Sequence, residues 1–282
     1  MSAPKDRSRV EAIEKYLALE KQGIFDRDVE DDPPTIEILP GTVDYKQKKL
    51  KSRLMSKFAF SKARKFLNRI VAAGSLRVKE VVGVENLDNL DSGAVITCNH
   101  FSPMDSFLTQ IAYEKSSSSK KRKLFRIIRE GNYTSFPGFY GYLMRNCNTL
   151  PLSSNMSTMK EFFEGVDYQL SKGNFVLIYP EESLWWMYRK PKPLKRGAYA
   201  FAAKSRVPVV PIFITWEDLD EIGEDGFPIP YYTIHVMKPI YPDDNENPSA
   251  DSKRMMQENY EAWKKCYEET YGKMLIYDTE AK

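Results

Sequence analysis

The sequence predicts an α/β protein in which a mostly parallel sheet is flanked by helices. Short apolar and β-branched runs, each of a length suited to a buried strand, recur along the chain. Segments with helical spacing separate these runs, and glycines or polar turns mark several boundaries. Strands that alternate with helices pair in parallel and carry the helices on both faces of the sheet.

The length of 282 residues suits one large α/β domain with an appended segment. We predict three parts. Residues 1–45 form an N-terminal extension and linker, residues 46–75 form a basic amphipathic helical segment, and residues 76–282 form the main domain that carries the motifs described below.

The N-terminal extension is acidic, with eleven acids against six bases in residues 1–44. Residues 8–22 have apolar side chains at helical spacing, which predicts a short helix. The proline-rich residues 25–41 predict an extended, irregular linker.

The next segment reverses this charge, because twelve Lys and Arg and no Asp or Glu lie between Lys46 and Lys79. Apolar residues recur there at intervals of three and four: Leu50, Leu54, Met55, Phe58, Phe66, Leu67, Ile70 and Val71. This pattern predicts a basic amphipathic helix or helix pair. It favours docking on an anionic membrane surface over simple packing with a solvated charged face. A nucleic-acid- or membrane-binding protein without catalysis is the alternative of another class, although no nucleic-acid motif is present.

The remaining elements follow in order along the chain. The predicted strands are RVKEVV with its turn at 77–87, AVITC at 94–98, NFVLIYP at 174–180, VPVVPIFITW at 207–216 and YYTIHVMKPI at 231–240. The predicted helices include segments that end at Gly173, cover 197–206 and cover 251–271, and the serine run at 116–119 predicts a loop.

The AVITC strand runs directly into NHFSPMDSF, which places His100 and Asp105 five residues apart. On one continuous helix these residues would lie about 140° apart, so they cannot share a helical face. Ser102 suits an N-cap, Pro103 the first helical position and Asp105 the third, so we expect a strand that stops at His100 and a helix that starts at once. The turn can then bring the imidazole to the carboxylate, which makes His100 a candidate general base.

Four segments occur in an order that resembles one enzyme family: GVENL, NHFSPMD, LIYPEES and VPVVPI. The chain from about Val78 to Ile240 resembles the lysophospholipid acyltransferases, which include the glycerol-3-phosphate and 1-acylglycerol-3-phosphate acyltransferases. The resemblance implies that His100 and Asp105 are catalytic. It also implies transfer of a fatty acyl group from acyl-CoA or acyl carrier protein to the hydroxyl of a lysophospholipid, in phospholipid biosynthesis.

The family's PEGTR block is matched in part. Pro180 and Glu181 agree and Ser183 keeps a hydroxyl, but Glu182 replaces the glycine and Leu184 the arginine. The resemblance implies that Pro180, Glu181, Glu182 and Ser183 bind substrate.

Two further family blocks place residues near the substrates. In NTLPLSS, Asn148 and Ser154 stand where the family has a glycine and a phosphate-binding arginine. In VPVVPI, the resemblance places Pro208 and Pro211 near the acyl or acceptor site, although an ordinary buried strand explains that pattern equally well.

The loss of both arginines matters because a phosphate monoester needs cationic partners. Among the flanking cations, Arg145 and Arg189 rank highest as replacements, ahead of three others, namely Lys190, Lys195 and Arg196. Alternatively, Glu181 and Glu182 bind a polyol or amine headgroup, which would make the acceptor a glycolipid or aminolipid.

Composition limits the other possibilities. Three scattered cysteines fit no zinc pattern and favour a reducing cytoplasm, and no apolar run reaches the roughly 18 to 20 residues that span a bilayer. We therefore expect a cytoplasmic enzyme, peripheral on the inner face of the membrane, with no cofactor, no metal and no nucleic-acid partner. A serine or cysteine hydrolase is the enzymatic rival, but GxSxG is absent, Cys98 suits a buried strand position and His235 suits a structural role.

Overall fold

A computed structural model describes residues 5–30 and 34–280 of the chain. Residues 31–33 of the predicted linker lie outside the described residues. The strands are β1 Arg77–Val82, β2 Ala94–Cys98, β3 Leu124–Ile128, β4 Thr149–Pro151, β5 Phe175–Ile178, β6 Val209–Ile222 and β7 Pro228–Val236. The α-helices are α1 Arg7–Lys21, α2 Leu50–Ala72, α3 Asp105–Lys115, α4 Glu130–Thr134, α5 Gly138–Asn146, α6 Met156–Ser171, α7 Gly197–Ser205 and α8 Pro248–Tyr271.

The strands form one sheet in the order β1-β7-β6-β2-β5-β3-β4. Strands β6, β2, β5, β3 and β4 are parallel, β7 pairs with β6 in the antiparallel direction, and β1 is parallel to β7. The predicted mostly parallel α/β fold is therefore confirmed. Strands β3 and β4 were not predicted, because the flanking cations in KKRKLFRIIR and the shortness of TLP hide the strand pattern.

Both faces of the sheet are buried. Successive side chains of each central strand point to opposite sides and are apolar on both. Ile96 and Leu177 contribute to the core beneath α3, whereas Val95 and Val176 contribute to the core beneath α6 and α7. The uninterrupted apolar runs that predicted these strands reflect this two-sided burial.

The N-terminal extension packs against the rest of the chain. Helix α1 places Tyr16 beside Trp185, with ring centroids 5.8 Å apart, and Tyr45 is buried in the core beneath α6. The division of the chain into three domains stays a prediction.

Helix α2 is the predicted basic segment, and it is a single helix. One face packs on the protein through Ala59 and Leu67, which are buried. The opposite face leaves Leu54 and Phe58 48% and 63% exposed. Across the part of the chain that the structure describes, no helix has the length and apolar character needed to span a membrane.

Candidate active site

His100 lies at the carboxyl edge of the sheet, just after β2. The side-chain amide of Asn99 continues the hydrogen bonding between β2 and β6 there. The buried Asn99 donates through Nδ2 to the carbonyl oxygen of Ile214 at 3.0 Å, and its Oδ1 accepts from the amide of Ile214 at 2.8 Å. Both bonds tie the chain to β6 just after β2 ends. The backbone of His100 is therefore held where β2 leaves the sheet.

The predicted N-cap at Ser102 is wrong, because α3 begins at Asp105 with Met104 as its N-cap and no side-chain cap hydrogen bond. Ser102 Oγ accepts from the amide of Met104 at 3.1 Å, and Asp105 Oδ2 accepts from the amide of Ser102 at 3.4 Å. These bonds close a tight turn before the helix and do not form a capping box, because the amide of Asp105 donates to the carbonyl oxygen of Ser102 and not to its side chain. The tight turn places the first helical carboxylate next to the imidazole.

His100 Nδ1 lies 2.7 Å from Asp105 Oδ2. The other carboxylate oxygen, Oδ1, accepts from the hydroxyl of Tyr179 at 2.8 Å. The Tyr179 ring also stacks on the imidazole, with centroids 4.2 Å apart. Burial and the neighbouring Asp105 carboxylate raise the pKa of Tyr179 well above its usual value, so its hydroxyl stays a donor at neutral pH.

These contacts determine what the imidazole can do. When Asp105 is ionised, it accepts a hydrogen bond from Nδ1–H of the imidazole. The lone pair of the neutral His100 ring is then on Nε2. Nε2 has no hydrogen-bond partner among the residues that the structure describes, and the side chain is 26% exposed. Asp105, by contrast, is 1% exposed. The pair can therefore accept a proton from a group that enters from solvent, with the resulting imidazolium stabilised by the buried carboxylate.

A buried ion pair supports His100 from behind. Glu181 Oε2 accepts from the backbone amide of His100 at 2.9 Å and lies 2.9 Å from Lys192 Nζ. Glu181 Oε1 accepts from the amide of Lys192 at 2.9 Å, and Lys192 Nζ donates to the carbonyl oxygen of His100 at 3.2 Å. Both side chains are at most 2% exposed. Sequence reasoning missed Lys192, because its partners are distant along the chain.

This arrangement corrects the roles predicted for the PEES segment. This placement does not support the prediction that Glu181 binds a headgroup, because both carboxylate oxygens are buried and already accept hydrogen bonds within the protein. Ser183 is also buried and donates its hydroxyl to the carbonyl oxygen of Phe25 at 2.6 Å, so it does not face substrate either. Pro180 is buried between Tyr179 and Glu181, whereas Glu182 is exposed.

The two positions where the family has glycine keep a left-handed backbone. Glu182 has φ +59° and Asn148 has φ +52°. Residues other than glycine pay about 1 kcal/mol for this conformation, and asparagine tolerates it best. Both residues therefore lie at positions whose backbone conformation glycine adopts most readily.

The cations predicted to replace the missing arginines lie apart from His100. Arg145 is exposed and donates to the carbonyl oxygens of Tyr133 and Phe136, both at 3.2 Å. Arg189 pairs with Asp218 at 2.7 Å. Neither forms a hydrogen bond or an ion pair with His100 or Asp105, so the structure does not bring them together with this pair.

Pro211 is buried in β6 beside Thr97 of β2. Its neighbours Val210 and Ile212 belong to the core beneath α3, so alternation turns Pro211 toward the opposite face from Asp105. A direct contact of Pro211 with substrate at His100 is not supported by this placement.

Arg129 is a cation at the carboxyl edge that sequence reasoning missed. It follows β3 directly, pairs with Asp28 and donates to the carbonyl oxygen of Glu182. Strand β5 separates β3 from β2, which corresponds to about 10 Å across the sheet. The position of Arg129 directly after RII would have indicated this placement, but only if that segment had been recognised as the end of a strand.

The N-terminal extension borders the site. The buried indole of Trp185 donates to the carbonyl oxygen of Arg27 at 2.7 Å, and its ring stacks on Phe25 at 5.5 Å. Trp185 is therefore a core residue. Asp28 accepts from the amide of Leu184 and pairs with Arg129. The N-terminal segment therefore contacts the residues that follow both β5 and β3 at the carboxyl edge of the sheet.

The rival nucleophile does not fit this geometry. Cys98 is buried, and desolvation raises the pKa of its thiol well above the ordinary value. His235, the second histidine, lies on β7 and contacts Thr215 at 3.0 Å. Burial lowers the pKa of His235. These residues do not form a thiolate–imidazole pair with each other or with His100.

Comparison with known proteins agrees with the site. The profile of the family described as Acyltransferase matches residues 79–215. The fold is similar to the crystal structure of the 1-acyl-sn-glycerophosphate acyltransferase PlsC from Thermotoga maritima, with a TM-score of 0.52, 19% sequence identity, and coverage of 80% of this chain and 81% of that chain. No curated protein sequence matches the chain significantly. The matched region contains His100, Asp105 and Glu181, so the part of the chain that carries the site is similar to the acyltransferase family.

Proposed function

We propose that this enzyme transfers a fatty acyl group from a thioester donor to the hydroxyl of a lysophospholipid, with His100 as the general base. The single observation that supports this proposal is the 2.7 Å contact between His100 Nδ1 and Asp105 Oδ2, which leaves Nε2 open to solvent. A base in this state needs no covalent enzyme intermediate to activate an alcohol.

In the proposed reaction, Nε2 takes the proton of the acceptor hydroxyl as its oxygen bonds to the thioester carbonyl carbon. The tetrahedral intermediate then expels the thiolate, which takes the proton back from the imidazolium. Asp105 holds the ring and balances its charge, and Tyr179 orients Asp105. Acyl-CoA and acyl carrier protein both supply the required thioester.

The proposed acceptor carries a phosphate, as 1-acylglycerol-3-phosphate does. Arg129 at the end of β3 is the cation we assign to that phosphate, because it shares the carboxyl edge of the sheet with His100. The alternative, a glycolipid or aminolipid acceptor, loses support because Glu181 is buried, and only Glu182 of the two acids is exposed.

We further propose that the enzyme works at a membrane surface through α2. Leu50, Leu54 and Phe58 are 63%, 48% and 63% exposed and lie four residues apart on one helical face. We call these three residues the apolar stripe. Lysines flank it on the same helix, as suits an anionic leaflet.

The test is acyl transfer from labelled acyl-CoA and from labelled acyl carrier protein to a panel of lysolipids. His100→Ala is expected to lower turnover by about 10² to 10⁴. His235→Gln is the matched control, since it alters the second histidine on β7 and should keep turnover. Full activity of His100→Ala would contradict the proposed base.

The same panel tests the acceptor. Arg129→Gln should raise the KM for acceptors that carry a phosphate monoester and leave the KM for glycolipid acceptors unchanged. Equal turnover of phosphate-bearing and phosphate-free acceptors by the unaltered enzyme would exclude the phosphate assignment.

A further inference from the structure

A second concave site lies at the opposite, amino edge of the sheet, between α2 and α3. It is an open cavity of about 860 Å³, and it is bordered by Lys123 and Leu124 at the start of β3 and by Asn148 just before β4. We call it the α2–α3 pocket. Four cations line it, namely Arg53, Lys57, Arg64 and Lys123.

Most of this positive charge has no acid beside it. Arg64 pairs with Glu114 at 2.9 Å, but Lys123 Nζ donates only to the neutral Gln47 Oε1 at 3.1 Å. The side chains of Arg53 and Lys57 have no hydrogen-bond or ion-pair partner among the residues that the structure describes. Partial removal from water, together with the nearby Arg53, lowers the pKa of Lys123. Like charges held this closely favour an anion between them.

A buried guanidinium adds to the imbalance behind the pocket. Arg126 is 9% exposed and donates to two neutral oxygens, Ser106 Oγ at 2.9 Å and Gln110 Oε1. Its Nη1 has no hydrogen-bond partner within residues 5–30 and 34–280. Gln110 lines the pocket and also donates to Glu114 at 2.8 Å. A buried cation without an acid is costly, and an anion in the adjoining pocket offsets part of that cost.

The surroundings of the pocket decide which anion fits. Arg53 and Lys57 alternate along α2 with Leu54 and Phe58 of the apolar stripe, so the cationic pocket and the exposed apolar face adjoin each other. A soluble phosphate compound gains nothing from exposed leucine and phenylalanine side chains. A phospholipid in a bilayer matches both features at once.

We propose that the α2–α3 pocket binds the headgroup phosphate of an anionic phospholipid that stays in the bilayer. This inference rests on the membrane docking of α2 in the proposed function and not on the chemistry of His100. Asp105 and Glu114 lie at opposite ends of α3, about 13 Å apart along the helix. The lipid bound here is therefore an anchor and not the acceptor that is acylated.

The experiment compares two variants of equal charge. Arg53→Gln with Lys123→Gln removes two pocket cations, and Lys51→Gln with Lys65→Gln removes two exposed α2 cations that do not line the pocket. Binding is measured with a short-chain, monomeric phosphatidylglycerol by calorimetry and thermal shift. The unaltered protein and the Lys51 and Lys65 variant should bind saturably, and the pocket variant should bind at least tenfold more weakly.

Two results would overturn the inference. Equal binding by the pocket variant and its matched control would mean that the pocket is not the site. Inorganic phosphate binding as tightly as short-chain phosphatidylglycerol would mean that the ligand is a free phosphate. Because both variants remove like charge, melting temperatures at or above that of the unaltered protein are expected without ligand, so loss of folding does not confound the result.

Vesicle flotation separates this inference from the proposed docking. Leu54→Ser with Phe58→Ser should lose binding to phosphatidylglycerol vesicles and keep binding to the short-chain lipid. Unchanged flotation of this variant would contradict the docking alone, and the short-chain measurement would still decide the pocket. Acyl transfer to detergent-dispersed lysolipid should be unchanged in the pocket variant; a loss comparable to that of His100→Ala would refute a separate anchor site.

Discussion

The two edges of the sheet treat charge in opposite ways. At the carboxyl edge, each buried acid around His100 has its partner: Asp105 contacts the imidazole and Tyr179, and Glu181 contacts Lys192. At the amino edge, the α2–α3 pocket gathers cations with few acids among them. Matched charge at one edge fixes a geometry before substrate arrives. Unmatched charge at the other edge is what the proposed lipid phosphate would neutralise.

The largest expected effect is on kcat, when the charged partner of His100 is removed at Asp105. Asp105→Asn removes the charge that favours the imidazolium and allows the wrong His100 tautomer, so kcat should fall by about 10² to 10⁴. Because Asp105 acts through the imidazole, the KM for the acceptor should change little. Steady-state kinetics on the purified variant, with the acceptor varied at saturating acyl donor, would measure kcat and this KM. Circular dichroism would verify its fold. A change confined to KM would contradict this role.

Removing one partner of the buried Glu181–Lys192 ion pair should lower the free energy of unfolding. Lys192→Met leaves the Glu181 carboxylate buried beside no cation, which costs about 3 to 5 kcal/mol. Adding Glu181→Gln removes the stranded charge, so the double variant should recover part of the loss. Urea unfolding of both variants gives the free energies of unfolding. A double variant less stable than Lys192→Met would refute the ion pair as the cause.

A smaller effect is expected at Tyr179. Tyr179→Phe keeps the ring that stacks on His100 and deletes only the hydroxyl that donates to Asp105 Oδ1. We expect kcat to fall by about tenfold, since a hydrogen bond to a charged group contributes roughly 1.5 to 3 kcal/mol, only part of which bears on orientation. Tyr179→Leu serves as the comparison, because it also loses the stacked ring. Equal rates for the Phe variant and the unaltered enzyme would show that Tyr179 does not orient Asp105.

The same contrast explains how far the sequence led. The pairing of His100 with Asp105 was predictable, because five residues and a local helix start determine it. The parallel strands were predictable where both faces are apolar, as in AVITC. Strand β3 was missed because Arg126 faces the core and cations flank the strand.

Contacts between distant segments escaped prediction. Lys192 reaches Glu181 and the carbonyl oxygen of His100 only after β5 and β2 are paired. Glu181 was assigned to the headgroup because a motif shows residue types and not the direction of a side chain. The sequence predicts only a linker after the first helix, yet the carbonyl oxygens of Phe25 and Arg27 accept hydrogen bonds from Ser183 and Trp185, and no pattern of side chains predicts bonds to backbone oxygens.

The smallest effect should appear at the unmatched edge, in the single variant Lys123→Gln. The nearby Arg53 and partial removal from water lower the pKa of Lys123, so its charged form weakens the folded state. Lys123 is largely exposed, and solvent screening limits the gain on its removal to a few tenths of a kcal/mol at neutral pH and low salt.

The pH dependence of this effect has a definite sign. A lysine whose pKa is lower in the folded state destabilises that state fully below the folded pKa, and the penalty disappears as pH rises to the ordinary value of 10.5. The advantage of Lys123→Gln over the unaltered protein should therefore shrink between those two limits. Paired urea titrations at pH 7 and near pH 10.5 would measure it. An advantage that grows with pH, or that short-chain phosphatidylglycerol leaves unchanged at pH 7, would show that Lys123 does not belong to an unmatched cationic site.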